Sequence, residues 1–481
     1  MKADIKAIHE KGLRLTPQAS EFLEKNEIEE SVFQKILASE SVFITLESIQ
    51  ELLSGKDKIP VQAVISRSPD FKPAAKEFDS KFRVIDKSDL SGKSNCTGKL
   101  EDFVAHFRNR FARISKILRM RITQLPLATT KQLAGTAGTK VRLIAMVTQK
   151  RTTKKGNYLL DVEDEEGTAK VVIPKDTDGF KAVSRMLLDD IVALDGKNVE
   201  QLFIADAITW PEIPIAREMK KTEQDMAIVY ISDLHFGNKK FLEKEFTRFI
   251  SWLNGGEDKK ELAGKVKYLI VCGDIVDGIG IYPEQEKELV VKDIYKQYEM
   301  FDKIVEKIPD YITVIVTPGN HDAVRRAEPQ PYIPYDLMKS EVVRVGSPCN
   351  IEIEGLKHLL YHGTSLDSII AGMSGLSYAK PEDAMLELLR RRHLSPIYGD
   401  NLIVPQEYDH LVIDEEPDVI HMGHVHKNGY MTYRGTLLIN SGTFQDRTDY
   451  QVKVGHHPSP CIVPVLETKT GKLNHLSFMG E

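Results

Sequence analysis

A layered α/β fold is predicted for the second half of this 481-residue chain, behind an all-β barrel and a small helical unit. Three observations predict it. From Met226 onward, apolar runs alternate with helical stretches such as Lys240 to Leu253, Glu284 to Ile308 and Pro381 to Arg392, the pattern of a sheet with helices on its faces. Five of those runs finish on residue types that bind metals, at strand ends where open α/β sheets hold their ligands. Between Gly138 and Trp210 the chain is instead a series of short β-rich runs broken by polar turns.

Length and composition bound the rest. A chain of 481 residues should hold about two to four domains. Hydrophobic and charged fractions of 41% and 28% are those of an ordinary globular protein. No window approaches the roughly 18 apolar residues of a membrane span. Met1-Lys2-Ala3-Asp4-Ile5-Lys6 lacks the apolar core of a signal peptide, so a cytoplasmic location without membrane contact is expected. Cys96, Cys272, Cys349 and Cys461 show no C-x-x-C spacing, which argues against a disulfide framework or zinc ribbon. Cys272, inside a predicted strand, reads as a small inert hydrophobe. A net charge of −6 excludes a wholly basic nucleic-acid binder but leaves room for a metal-lined cleft that takes phosphate.

Residues 1–54 read as a small helical domain. Thr16-Pro17 is a helix start, and Phe22, Val32, Phe33, Ile36 and Leu37 recur at helical spacing. Thr45 could cap a further helix carrying Leu46, Ile49, Leu52 and Leu53. Residues 55–99 are dominated by charged and turn-forming residues, as in Ser66-Arg67-Ser68-Pro69-Asp70, and read as a flexible linker.

Residues 100–225 join a basic helix to the barrel. Val104, Phe107, Phe111, Ile114 and Leu118 fall on one helical face from Leu100 to Ile122. Arg108, Arg110, Arg113, Lys116, Arg119 and Arg121 lie largely off it, as a solvated face or a phosphate-contacting one. Strands are expected at Val141 to Val147, Tyr158 to Val162, Ala169 to Ile173, Ile191 to Leu194 and Leu202 to Ile208, with a helical connection through Phe180 to Leu188. Five strands with a helix between the third and fourth are the pattern of an OB fold. Such barrels often bind single strands, but with few aromatics here a scaffolding role is an equal reading.

Residues 226–481 carry the chemistry. Asp233 and His235 follow the first apolar run as D-x-H, and Asp274 and Asp277 follow the next as G-D-x-x-D. Gly319-Asn320-His321-Asp322, His362-Gly363 and Gly423-His424-Val425-His426 complete the series. Carboxylate, imidazole and amide donors without cysteine suit Mn²⁺, Fe or Zn²⁺. Seven such side chains exceed one ion's needs, and a metal pair about 3.5–4 Å apart can activate water and clamp phosphate oxygens. Asp274, central in order, is the natural bridge. Asp277 either belongs to the site or caps a turn, and His421 is structural or supports a ligand. His456 and His457 match no motif and read as surface residues. Arg325 and Arg326 could hold substrate phosphates or be a plain charged pair.

These five motifs resemble those of the calcineurin-like metallophosphoesterase superfamily over about 250 residues. The resemblance implies one metal on Asp233, His235, Asp274 and His426, and a second on Asp274, Asn320, His362 and His424. It implies that His321 is catalytic, acting on the leaving group as general acid or charge stabiliser, with Asp322 orienting it. An OB barrel directly before such a domain resembles the small subunits of replicative DNA polymerases. Eukaryotic members have lost metal ligands; none is substituted here, and the chain resembles the archaeal family D small subunits. That implies a two-metal, Mn²⁺-dependent 3′→5′ exonuclease that proofreads single-stranded or mispaired DNA ends, with Fe or Zn²⁺ as the other candidate ions. It also implies a separate large catalytic polymerase subunit as partner, with any sliding clamp met through the complex. An inactive scaffold subunit and a free-standing metallophosphoesterase or nuclease are the alternatives.

Overall fold

The computed structural model describes residues 5–39, 43–46, 48–49, 65–85, 87–94, 96–200, 202–215 and 217–480. The chain divides into two compact units, Met1–Val64 and Ile65–Glu481. Among the described residues no helix is long and apolar enough to cross a membrane.

In the first unit, helices Ile5–Glu10, Pro17–Lys25 and Glu30–Leu37 enclose a small core of Ile8, Leu23, Phe33, Ile36 and their neighbours. Thr16 caps the second helix as its sequence implies: its hydroxyl accepts from Ala19 N, and Pro17 opens the first turn. Leu52 and Leu53, expected on a further helix, lie outside the described residues, as do residues 55–64 of the expected linker.

From Ile65 onward the linker reading fails. Residues 65–85 and 87–94 belong to the second unit and contribute to it. Phe71 packs against its largest core, Ala75 N donates to Gly264 O at 2.9 Å, and Phe82–Val84 adds an antiparallel edge strand to Cys349–Ile353. Composition misled because the few apolar residues here need no core of their own; each docks on a surface built by later sequence.

The barrel closes. Strands Lys140–Thr152, Tyr158–Asp164, Gly167–Ile173, Leu202–Thr209 and Ile191–Val199 are neighbours in that order, and the first and last also pair. Helix Asp178–Val183 sits between the third and fourth strands in sequence, consistent with an OB fold. Helix Leu100–Arg119 lies against the barrel through Ile114 and Leu118, which pack with Ile144, Ile191 and Ala193. Its cations are neither simply solvated nor all free for phosphate. Arg110 Nε donates to Asp409 at 2.7 Å, fully inside, and Arg113 Nε donates to Asp414 at 2.9 Å. Arg121 donates to the Pro211 carbonyl, while Arg108, Lys116 and Arg119 stay exposed. Val104 leaves the expected apolar stripe and is 41% exposed, whereas Ile117 is buried.

The remaining chain forms a four-layer α/β/β/α sandwich. One sheet orders Val343–Arg344, Thr313–Thr317, Val266–Cys272, Ala227–Ile231, Ile462–Glu467 and Lys472–Ser477. The other orders Asn428–Tyr433, Thr436–Ser441, Val419–Met422, Leu356–Leu360, Cys349–Ile353 and Phe82–Val84. Strand alternation divides each apolar run between two cores. Ile228, Tyr230, Tyr268 and Ile270 face Ile351, Leu360, Val419 and Ile439 across the gap between the sheets. Val229, Ile231, Leu269 and Val271 instead meet Phe249 and Trp252 of helix Glu243–Leu253. On the far side, Leu359 and Ile420 meet Leu366, Met385 and Leu388. The central strands, buried on both faces, explain the near-continuous apolar runs.

Candidate metal centre

The three central strands of the first sheet are parallel, so they end together. Asp233 and His235 follow Ala227–Ile231, Asp274 follows Val266–Cys272, and Asn320 follows Thr313–Thr317. His362 follows Leu356–Leu360 of the second sheet, and His424 and His426 follow the parallel strand Val419–Met422. Three overlapping groups of side chains converge there: Asp233, His235 and His426; Asp274, His362 and His424; and His235, Asp274 and His321.

The spacings are those of donors sharing a small centre. His426 Nε2 lies 3.3 Å from Asp233 Oδ1 and 3.1 Å from His235 Nε2. His362 Nε2 lies 3.2 Å from Asp274 Oδ2 and 3.1 Å from Asn320 Oδ1, and His424 Nδ1 lies 3.0 Å from the same amide oxygen. His235 Nε2 is 3.9 Å from Asp274 Oδ2, which puts Asp274 between the two groups. All seven residues thus come together.

Hydrogen bonds fix which nitrogen each ring presents. A carbonyl or carboxylate can only accept, so a ring nitrogen facing one must carry the proton. His362 gives its Nδ1–H to Cys272 O at 2.9 Å, and His235 gives its Nδ1–H to Asp277 Oδ1 at 3.1 Å. His424 gives its Nε2–H to Asp367 Oδ2 at 3.0 Å. Each therefore turns a lone pair toward the centre, the arrangement a cation requires. The backbone supports the same reading: Asp233, His235, Asp274, His424 and His426 all have positive φ, between 51° and 69°. Left-handed backbone at non-glycine residues costs on the order of 1 kcal/mol or more each and clusters at functional sites. Two glycines make room: a Cβ on Gly273 would stand 2.3 Å from His362 Nδ1, and one on Gly319 2.2 Å from Asp274 Oδ1.

Electrostatics match. Burial alone would raise Asp274, but the His362 and His321 rings hold it well below the carboxylate range. Burial works against a charge on His362, yet Asp274 beside it pushes its pKa up to about 10. Without an ion, the imidazoles supply the positive charge that buried carboxylates demand. Donor set, tautomers and charge all fit divalent cations. The residues present would hold one ion on Asp233, His235, Asp274 and His426, and another on Asp274, Asn320, His362 and His424.

Residues 226–428 match the calcineurin-like phosphoesterase family. The chain is 38% identical over 483 residues to the DNA polymerase II small subunit of Archaeoglobus fulgidus, covering 98% of this chain and 96% of that one. It is 38% identical to the same-named subunits of Methanocaldococcus jannaschii, covering 83% of this chain and 69% of that one, and of Methanothermobacter thermautotrophicus, covering 90% of each. The chain belongs to the archaeal DNA polymerase small-subunit family. The family D resemblance drawn from five motifs and a barrel is therefore borne out, and this small subunit carries a calcineurin-like phosphoesterase domain whose Asp and His groups could hold divalent metal ions.

Some expected roles shift. Asp322 does not touch the His321 ring. Its carboxylate accepts from Gly319 N at 2.8 Å, Ile275 N at 3.3 Å and the Tyr298 hydroxyl at 3.0 Å, so it braces the loop under Asp274. Burial and the neighbouring Asp274 push its pKa up to about 6. His321 is instead held through Nδ1, which donates to the Asp277 carbonyl at 2.8 Å. Arg325 is consumed locally, on Pro329 O at 2.9 Å and Ser94 Oγ at 2.9 Å, which argues against a phosphate-binding role. Arg326 is exposed and donates to the Ile281 carbonyl at 2.6 Å.

The converging rings are held by further side chains, one of them the last residue of the second motif and two that no motif marked. Asp277 aligns His235, resolving its two readings. Asp367 aligns His424, and Gln451 Nε2 lies 3.0 Å from His426 Nδ1. Asp367 and Gln451 sit on helices Leu366–Gly372 and Asp449–Lys453, where sequence offers only an ordinary polar face. His421 is structural: its Nε2 meets Ser441 Oγ at 2.9 Å, and burial drives its pKa down to about 3. Cys272 is buried with its thiol pKa pushed up by burial, the inert hydrophobe expected. His456 is not a bare surface residue; its ring packs against that of Tyr378, with centroids 3.9 Å apart and the planes tilted by 38°.

Proposed function

We propose that this small subunit is a two-metal 3′→5′ exonuclease that proofreads for a heteromeric replicative DNA polymerase. It would remove terminal nucleotides from single-stranded or mispaired ends. The observation that carries the reading is the meeting of Asp233, His235 and His426 with Asp274, His362, His424 and Asn320 around one acidic side chain, Asp274. The family supplies the polymerase context. The relatives are named as small subunits, so a large catalytic subunit is the partner, and a sliding clamp would be met through the complex.

When bound, a pair of divalent cations, of which Mn²⁺ suits this donor set, neutralises phosphate oxygens and makes an attacking water acidic. The chain's own residues do the rest. Asp274 and Asn320 would fix the two ligand groups relative to each other, and so the space in which a phosphate is cleaved. His321, held through Nδ1, presents Nε2, and burial keeps its pKa below the ordinary histidine range. Through Nε2 it can hand a proton to the departing 3′ oxygen, while the proton of the attacking water leaves to solvent. Cleavage breaks the bond between phosphorus and that oxygen, releasing a nucleoside 5′-monophosphate. A net charge of −6 leaves most duplex grip to the partner.

The test is digestion of a 3′-mismatched primer in Mn²⁺, with and without the native large subunit. Wild-type chain should remove the mismatch, while Asp274→Ala and His424→Ala remove none and leave polymerisation intact. Wild-type protein that never shortens the primer in either setting would leave only a scaffold.

A further inference from the structure

Beside His424 and His426 stands an aromatic pair that metal binding does not use. The rings of Tyr378 and His456 lie 3.9 Å apart at 38°, both half-buried, on loops 78 residues apart in sequence. Each is tied to a ligand. The Tyr378 hydroxyl bonds Asp367, whose carboxylate takes the His424 Nε2–H at 3.0 Å. His456 N donates to Gln451 O at 2.8 Å, and the Gln451 side chain meets His426. Tyr450, 64% exposed, lies within electrostatic reach of the Tyr378 hydroxyl. A cation stands next to the pair. Arg447, whose charge is felt at His456, has a buried Nε with no hydrogen-bond partner among the described residues.

Resting on the exonuclease reading, we infer that Tyr378 and His456 form a stacking platform for the base of the terminal nucleotide, with Arg447 taking an adjacent backbone phosphate. The chemistry suits the task. A proofreader must accept any of four bases, and every base has a π-face that an aromatic ring can stack, without edge hydrogen bonds that would select among them. A guanidinium next to the stack reads phosphate, which all four nucleotides share.

A metal-free binding experiment with the full complex tests this apart from catalysis, using single-stranded DNA that ends in 2-aminopurine. Wild type should quench the terminal fluorophore; Tyr378→Leu should abolish the quench and weaken binding about tenfold. Tyr378→Phe, which keeps the ring and drops the hydroxyl, should behave as wild type. A quench that survives Tyr378→Leu overturns the platform. So does a Tyr378→Phe variant as impaired as Tyr378→Leu, because the effect would then run through Asp367 to His424. Should Tyr378→Leu not fold, His456→Ala carries the same readouts. In Mn²⁺, wild type should digest an ordinary 3′ end about tenfold faster than one ending in an abasic nucleotide, and the ratio should fall toward one in Tyr378→Leu. Equal digestion of both ends by wild type sinks the platform and spares the exonuclease. Digestion of neither sinks the exonuclease reading itself, and the platform with it.

Discussion

His235 gives its Nδ1–H to the Asp277 carboxylate at 3.1 Å, and this one bond turns the ring's remaining lone pair toward His426 Nε2, 3.1 Å away. Asp277 also accepts from Gln285 Nε2 at 2.8 Å, so the orienting group is itself held. Asp277→Ala should therefore weaken binding of the ion on His235 about 10- to 100-fold with the fold intact. Titration calorimetry with Mn²⁺ reads this directly.

Asp274 holds its Oδ2 3.9 Å from His235 Nε2 of one ligand group and 3.2 Å from His362 Nε2 of the other. In Asp274→Asn the number of tightly bound divalent ions should drop from two to one or none, with primer digestion lost. Metal analysis of the gel-filtered protein, set beside the digestion assay, checks both halves.

Gly319 has no side chain because Asp274 occupies the space one would need. Gly319→Ala pushes a methyl group to 2.2 Å from Asp274 Oδ1, and the carboxylate must move. Expected is a loss of hydrolysis of a hundredfold or more, since a displacement of about 1 Å in such a site costs that much. Circular dichroism should remain that of wild type.

Arg110, Asp409, His106 and His393 make a closed ionic cluster that fastens helix Leu100–Arg119 to the phosphoesterase layers. Arg110→Met leaves the Asp409 charge buried with only imidazoles around it. The cost should be about 3–5 kcal/mol, read from the midpoint of urea unfolding.

Buried histidines set the pH response. Burial drives His358 and His393 down to about 4 and His421 to about 3. Their folded pKa values lie below the unfolded value of about 6.5, so below that pH the unfolded chain binds more protons. Stability should be full above about pH 6.5 and fall as pH drops toward 4. His362 has the opposite sign: raised to about 10 by Asp274 against its burial, it stabilises the metal-free protein below about pH 6.5 and stops doing so as pH climbs through 10. Thermal melts with EDTA should show both limbs. Saturating Mn²⁺ should flatten the alkaline limb, because an ion takes over the role of the lost proton.

The convergence of the seven donor side chains was legible because each sits next to a strand end, and strand ends are visible as apolar runs that stop. The barrel was legible for the same reason. What escaped was anything whose meaning depends on a distant partner. Arg110 and Arg113 look like any helical cations until Asp409 and Asp414, about 300 positions later, fold against them. Phe71 and Phe82 look like stray hydrophobes in a tether until the sandwich gives them a surface. Asp367, Gln451 and His456 occupy helix and loop positions where local pattern says only that the residue is polar. Asp322 shows the reverse case: its motif was plain, but its bonds go to backbone that only the folded loop creates.

Asp233, His235, Asp274 and Asn320 are carried by one sheet, and His362, His424 and His426 by the other. Each ligand group draws on both, so cations seated there would rivet the sandwich along its open edge. Chelation would then register as a mechanical event, a slackened seam, as well as a chemical one. By the same logic, a packing change deep between the sheets, at Tyr230 or His358, would detune hydrolysis without touching a ligand.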